Sequence, residues 1–140
     1  MTTNDNATHA APGLIETRAT GSARDAADRL IHAIEANENL RLIAQVDHAA
    51  GAASVGLELR PTIEVFFGNP KLGTPLMQAA PTVGIDLPQK MLFIEDGDGA
   101  RVLYNDPAYL AERHGLPADT PQLEVISGAL AKLAEVASGR

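Results

Sequence analysis

The chain has 140 residues, 45% of them hydrophobic, and this length and composition predict one compact domain with a single core. Its formal net charge of -7 repels phosphate backbones, and no stretch combines clustered Lys or Arg with aromatic residues, so nucleic acids and anionic membranes are disfavoured as partners. Cysteine is absent, which excludes disulfides, thiolate zinc sites and cysteine nucleophiles.

The first 13 residues, MTTNDNATHAAPG, are mostly small and polar. They predict a flexible N-terminal tail ahead of a single domain over residues 14–138. The tail has neither the basic start nor the apolar run of a signal peptide, and nowhere do about 18 consecutive apolar residues occur. We therefore expect a cytoplasmic protein without a membrane partner.

The first part of the domain predicts a strand, a helix and a second strand. Leu14 to Thr20 alternates apolar and polar side chains, which is typical of a strand. Ser22 and Asp25 resemble a capping box, and apolar residues then recur at helical spacing as far as Asn37. Another alternating stretch predicts a strand that ends at Asp47.

The middle of the chain is dominated by prolines and glycines. Thr62 to Phe67 is β-branched and aromatic, which predicts a central strand. The stretch from Phe66 to Lys90 follows and holds four of the nine prolines and three of the twelve glycines. Within it, Thr74 and Pro75 predict the N-cap and first residue of a short helix that ends at Ala80.

The last part predicts a hairpin and two helices. Met91 to Glu95 reads as a strand, Asp96 to Gly99 supplies turn residues, and Arg101 to Tyr104 supplies the returning strand. A helix is expected from Pro107 to His114. The final helix opens at Thr120, and its apolar stripe is expected to cover one face of the sheet.

Five ordered motifs resemble the domain of unknown function 302 family. They are DHAAGA at 47–52, GLELRPT at 56–62, FGNPKLGTPLMQAAP at 67–81, GIDLPQKMLFIED at 84–96 and YNDPAYLAERHGL at 104–116. The resemblance implies an α+β fold of the TATA-box-binding-protein type, in which a curved, mainly antiparallel sheet of about five strands packs against helices. It also implies frequent dimers. DNA binding does not follow from the fold, and the family's activity is not established.

The proline- and glycine-rich stretch predicts the wall of a ligand site. A fixed backbone with small polar groups suits a small molecule, anionic or carbonyl-bearing, bound between the sheet and Gly68 to Pro88. Arg60 is the best-placed cation, because its guanidinium can bind a carboxylate through two hydrogen bonds. The same prolines and glycines would also serve simply to route an irregular chain across a small sheet. The candidate ligand-binding residues are Arg60, Asn69, Thr74, Gln78 and Lys90.

Two other functions remain open, so the sequence leaves undecided whether the protein is an enzyme. In one, His48 acts as an acid–base catalyst with Asp47 or Asp86 as its carboxylate partner. In the other, the chain is a homodimeric interaction module whose Phe66 to Lys90 stretch packs against a second copy.

Metal and cofactor sites are not expected. The glycine-rich stretch lacks the spacing of the known nucleotide-binding fingerprints. The four histidines show no short ligand spacing; they are His9, His32, His48 and His114.

Overall fold

The computed structural model describes residues 11–140, and residues 1–10 of the predicted tail lie outside this range. The strands are β1 (Leu14–Thr20), β2 (Arg41–Asp47), β3 (Thr62–Gly68), β4 (Gln89–Asp96) and β5 (Gly99–Asn105). The α-helices are α1 (Ala23–Glu35), α2 (His48–Ser54), α3 (Pro70–Ala79), α4 (Pro107–His114) and α5 (Pro121–Ser138). A 3-10 helix over Pro81–Asp86 joins α3 to β4.

The strands form one sheet in the order β1-β5-β4-β3-β2, and every neighbouring pair is antiparallel. Only β4 and β5 are joined by a tight hairpin, with Gly97 in the left-handed conformation that its turn requires. The predicted α+β domain with a five-stranded, antiparallel sheet is confirmed.

One face of the sheet forms the core. Ile63, Val65 and Phe67 alternate with more exposed residues along β3, and Phe93 and Met91 lie opposite the first two on β4. Helices α1 and α5 pack against this face and against each other. Each large apolar side chain buried in this way stabilises the fold by about 1.5–3 kcal/mol.

Helix α1 begins where the sequence predicts. The Asp25 N–H donates to Ser22 Oγ at 3.0 Å, and the Asp25 carboxylate accepts the Ser22 N–H at 3.1 Å. These hydrogen bonds to Ser22 lower the pKa of Asp25, because they favour its charged form. The predicted capping box is confirmed.

Helix α3 begins earlier than the sequence predicts. Its N-cap is Asn69, whose Oδ1 accepts the Lys71 N–H at 3.0 Å, and Pro70 occupies the first turn. Pro75 therefore lies inside the helix, and the predicted start at Thr74 was wrong. Asn69 prevails because its side chain supplies the missing capping acceptor, while Pro70 already has the φ angle of a first helical residue.

Candidate small-molecule cavity

A cavity of about 370 Å³ lies at one end of the sheet, a size within the range of about 300–1,000 Å³ that is usual for ligand sites. Its walls come from the start of β2, the end of β3, helix α3, the segment over residues 84–89 and helix α5. The lining residues are Leu40, Arg41, Ile43, Phe67, Gly68, Asn69, Pro70, Leu72, Gly73, Thr74, Met77, Gly84, Leu87, Pro88, Gln89, Ile126, Ala129, Leu130 and Leu133.

Most of this lining is aliphatic. Helix α3 contributes Leu72, helix α5 contributes Leu130 and Leu133, and Leu87 comes from the segment between them. Ile43 also lines the cavity although its side chain is 56% exposed. The surface offered to a ligand is therefore mainly apolar and partly open to solvent.

Polar side chains at the cavity come from four residues: Arg41, Asn69, Thr74 and Gln89. Asn69 Oδ1 is engaged in capping α3. In the part of the chain that the structure describes, the side chains of Arg41, Thr74 and Gln89 make no hydrogen bond or ion pair. Three polar groups can thus bind a ligand without breaking an existing contact.

Two of the five predicted ligand-binding residues, Asn69 and Thr74, line the cavity, whereas Arg60, Gln78 and Lys90 do not. Arg60 lies beside the β4–β5 hairpin, with Nη1 3.9 Å from Asp96 Oδ1. Gln78 is exposed on α3.

Lys90 is separated from the cavity by the geometry of β4. Its Nζ donates to the Asp86 carbonyl at 3.3 Å and lies 5.7 Å from the centre of the Phe66 ring. Neighbouring strand residues point to opposite faces, so Gln89 contributes to the cavity and Lys90 does not. The buried alternation of Met91 and Phe93 was the sequence signal that could have identified Gln89.

His48 and Asp47 do not form a pair with each other. The Asp47 carboxylate caps α2 by accepting the Ala50 N–H at 2.9 Å. His48 Nε2 lies 3.1 Å from Glu64 Oε1, and its side chain is 43% exposed. Neither Asp47 nor His48 lines the cavity. The arrangement that acid–base catalysis by His48 requires, an imidazole and its carboxylate at a cavity, is not formed with Asp47 or Asp86.

A polar cluster surrounds Asp86 that the sequence did not predict. One carboxylate oxygen lies 2.5 Å from His114 Nε2, and Arg113 Nη1 donates to both oxygens at 3.1 Å. Thr82 Oγ1 lies 2.8 Å from His114 Nδ1. These contacts tie the 3-10 helix to α4 and so fix the segment that carries Gly84 and Leu87 into the cavity wall. No local sequence pattern reveals the cluster, because the partners lie 27 to 32 residues apart along the chain.

A family model described as "Domain of unknown function DUF302" matches residues 15–136. The chain belongs to the DUF302 family. A DUF302 protein from Bacillus stearothermophilus, described as uncharacterized, has a crystal structure that resembles this chain with a TM-score of 0.70. The likeness covers 92% of this chain and 98% of that one at 16% sequence identity, so it supports the DUF302 fold alone.

Two Brucella proteins are more similar in sequence to this DUF302 chain. "Fluoride-specific ion channel FluC 1" of Brucella suis and "Fluoride-specific ion channel FluC 2" of Brucella melitensis are each 40% identical to it over 119 residues. Those residues are 83% of this chain but only 46% and 44% of the two relatives, so the chain spans less than half of their length. Among residues 11–140, no helix is long and apolar enough to cross a membrane.

Proposed function

We propose that this DUF302 domain binds a small, largely apolar molecule in the cavity between α3, α5 and the segment over residues 84–89. The observation that carries the proposal is the combination of a ligand-sized cavity with an aliphatic lining and a few polar side chains free to orient a ligand. Burial of apolar ligand surface there contributes about 25 cal/mol per Å².

The cavity wall favours binding because its backbone is restrained before a ligand arrives. Pro70 and Pro88 line the cavity directly, and Pro75 lies within α3. A proline fixes its φ angle, so less conformational entropy is lost when a ligand orders the site. This gives the prolines of the Phe66 to Lys90 stretch a role in ligand binding as well as in routing the chain.

A neutral fluorescent probe tests the proposal. N-phenyl-1-naphthylamine becomes brighter in an apolar site, and we expect a saturable rise in its fluorescence with the natural chain. Ala129→Phe places a ring in the cavity from the exposed side of α5 and is expected to abolish that rise. Ser127→Phe is the control, because Ser127 is exposed on the same helix but does not line the cavity. No saturable signal, or equal binding by both variants, contradicts the proposal.

We propose a second role as a homodimer, on a different surface. Val55, Leu57 and Leu59 are exposed by 70%, 65% and 48%, and they alternate with other residues as they would on one side of a strand. Within the described residues, the backbone N–H groups of residues 58–60 have no hydrogen-bond partner. A segment of this kind can pair with another strand.

The charges of this segment favour a second copy of the same chain as its partner. If two copies pair in an antiparallel manner about a two-fold axis at Leu59, Glu58 of each copy lies opposite Arg60 of the other. The two Leu59 side chains then meet at the axis, where burial of their apolar surface adds to association.

Multi-angle light scattering tests the dimer. We expect a dimer for the natural chain and a lower dimer fraction for Glu58→Arg, which places like charges opposite each other. The double variant Glu58→Arg/Arg60→Glu restores opposite charges and should restore the dimer. A natural chain that stays monomeric, or a double variant no better than the single one, is the contrary result.

The cellular setting is a further proposal. The absence of cysteine suits a reducing compartment, and on that ground we assign the domain to the cytoplasm. Because the Brucella relatives are named as fluoride-specific ion channels, a role beside fluoride transport is a further candidate. If the domain itself recognises fluoride, sodium fluoride should raise its Tm more than the same concentration of sodium chloride does; equal shifts would exclude direct recognition.

A further inference from the structure

The cavity contains an arginine without a protein partner. In the described part of the chain, the Arg41 side chain makes no hydrogen bond or ion pair, whereas each of the other seven arginine side chains makes at least one. The chain has 18 acidic residues, so carboxylates are plentiful elsewhere. Arg41, the first residue of β2, thus belongs to the cavity lining with its side chain unpaired.

The charge at the cavity is opposite in sign to that of the whole chain. Among the described residues that line the cavity, Arg41 is the one that is charged, and none is Asp or Glu. An anionic group bound there meets one positive charge and no negative side chain within the lining. Since the chain as a whole carries a net charge of -7, this local balance makes the cavity a favourable place for an anion.

The remaining lining residues define the rest of the ligand. Phe67 is the one aromatic residue in the described part of the lining, and the chain has no tryptophan, so the cavity offers little for a stacked ring. Leu72, Leu87 and Leu133 offer aliphatic surface instead. A flexible hydrocarbon chain suits these walls better than a planar base does.

We infer that the cavity takes a carboxylic acid with an aliphatic tail, with the carboxylate on Arg41 and the tail among the leucines. This inference rests on the proposed binding function and names its ligand class. A guanidinium can bind both carboxylate oxygens through parallel N–H donors, a geometry that an alcohol cannot match. Thr74 and Gln89 line the same cavity and can donate further hydrogen bonds to the bound group.

Calorimetric titration with decanoate and decan-1-ol, at concentrations below micelle formation, tests the inference. The two probes share their tail and differ in the charge of the polar end. We expect the natural chain to bind decanoate about tenfold or more tightly than decanol, the ratio that charge-assisted hydrogen bonds supply. Arg41→Gln should remove this preference, because it weakens decanoate binding far more than decanol binding.

Arg24→Gln is the matched control, because Arg24 is also exposed, pairs with Asp28 on the surface of α1 and lies outside the cavity. It should retain the preference for decanoate. Equal affinity for the two probes in the natural chain, or an equal loss in both arginine variants, overturns the inference while the cavity proposal stands. If decanoate, decan-1-ol and N-phenyl-1-naphthylamine all fail to bind, the cavity proposal is overturned as well.

Discussion

At the residue scale, the sequence predicted Arg60 as a ligand-binding residue, whereas the arginine that lines the cavity is Arg41. Arg41 is the first residue of β2 and Arg60 lies just ahead of β3, and the sequence favoured Arg60 as the best-placed cation for a carboxylate. Only the folded sheet shows that the two arginines lie in different places. Arg41 pairs in register with Gly68, whereas Arg60 lies near the β4–β5 hairpin. The sequence predicts an anion-binding arginine, but long-range packing decides which one reaches the cavity.

Tyr104 provides a prediction for alkaline pH. Its side chain lies in the core, and burial raises its pKa, with the negative charge of Asp106 acting in the same direction. The unfolded chain releases this proton near pH 10, before the folded chain does, so the contribution of neutral Tyr104 to stability is present below about pH 10 and is lost as pH rises further.

Urea denaturation between about pH 8 and 11 measures this effect. We expect Tyr104→Phe to reduce the alkaline loss of stability. Tyr109→Phe is the control, because the other tyrosine of the chain is 41% exposed. If Tyr109→Phe reduces the alkaline loss of stability and Tyr104→Phe does not, the assignment to Tyr104 is contradicted.

At the scale of elements, the cluster at Asp86 joins the 3-10 helix to α4. Its carboxylate accepts hydrogen bonds from Arg113 and lies against His114, and both the Asp86 and His114 side chains are largely buried. Asp86→Asn should lower the free energy of unfolding by about 1–3 kcal/mol, because the buried His114 and the more exposed Arg113 lose their anionic acceptor. It should also weaken probe binding, since the 3-10 helix supports the cavity wall.

Asp28→Asn is a suitable comparison for that experiment. Asp28 pairs with Arg24 on the surface of α1, where both side chains are about half exposed, so its loss should cost no more than about 0.5 kcal/mol. Urea denaturation at neutral pH compares the two variants. Equal costs would show that the Asp86 cluster does not fasten the two elements.

The sequence predicts individual elements better than the contacts between them. The alternation in β3 and the capping box of α1 are local patterns, and both reappear in the structure. The start of α3 was missed because Asn69 and Pro70 suit a turn as well as a helix N-terminus. The cavity depends on the approach of α5 to α3, which are far apart in the chain, so no local pattern reveals it.

At the scale of the whole molecule, the domain combines a firmly packed sheet with a partly open end. Helices α1 and α5 cover the core face, while α3 and the segment over residues 84–89 enclose the cavity beside it. A ligand that binds only the folded chain raises its stability by about 2.7 kcal/mol at 100 times its Kd. A saturable rise in Tm should therefore accompany decanoate binding, and it should be absent in Ala129→Phe.

The most direct test of the binding account is a nuclear magnetic resonance experiment on the protein with decanoate. We predict nuclear Overhauser contacts between the methylene groups of decanoate and the methyl groups of Leu72, Leu87 and Leu133, which line the cavity. Contacts confined to Leu92 and Ile94, on the sheet face opposite the core, would contradict the account, as would the absence of any contact.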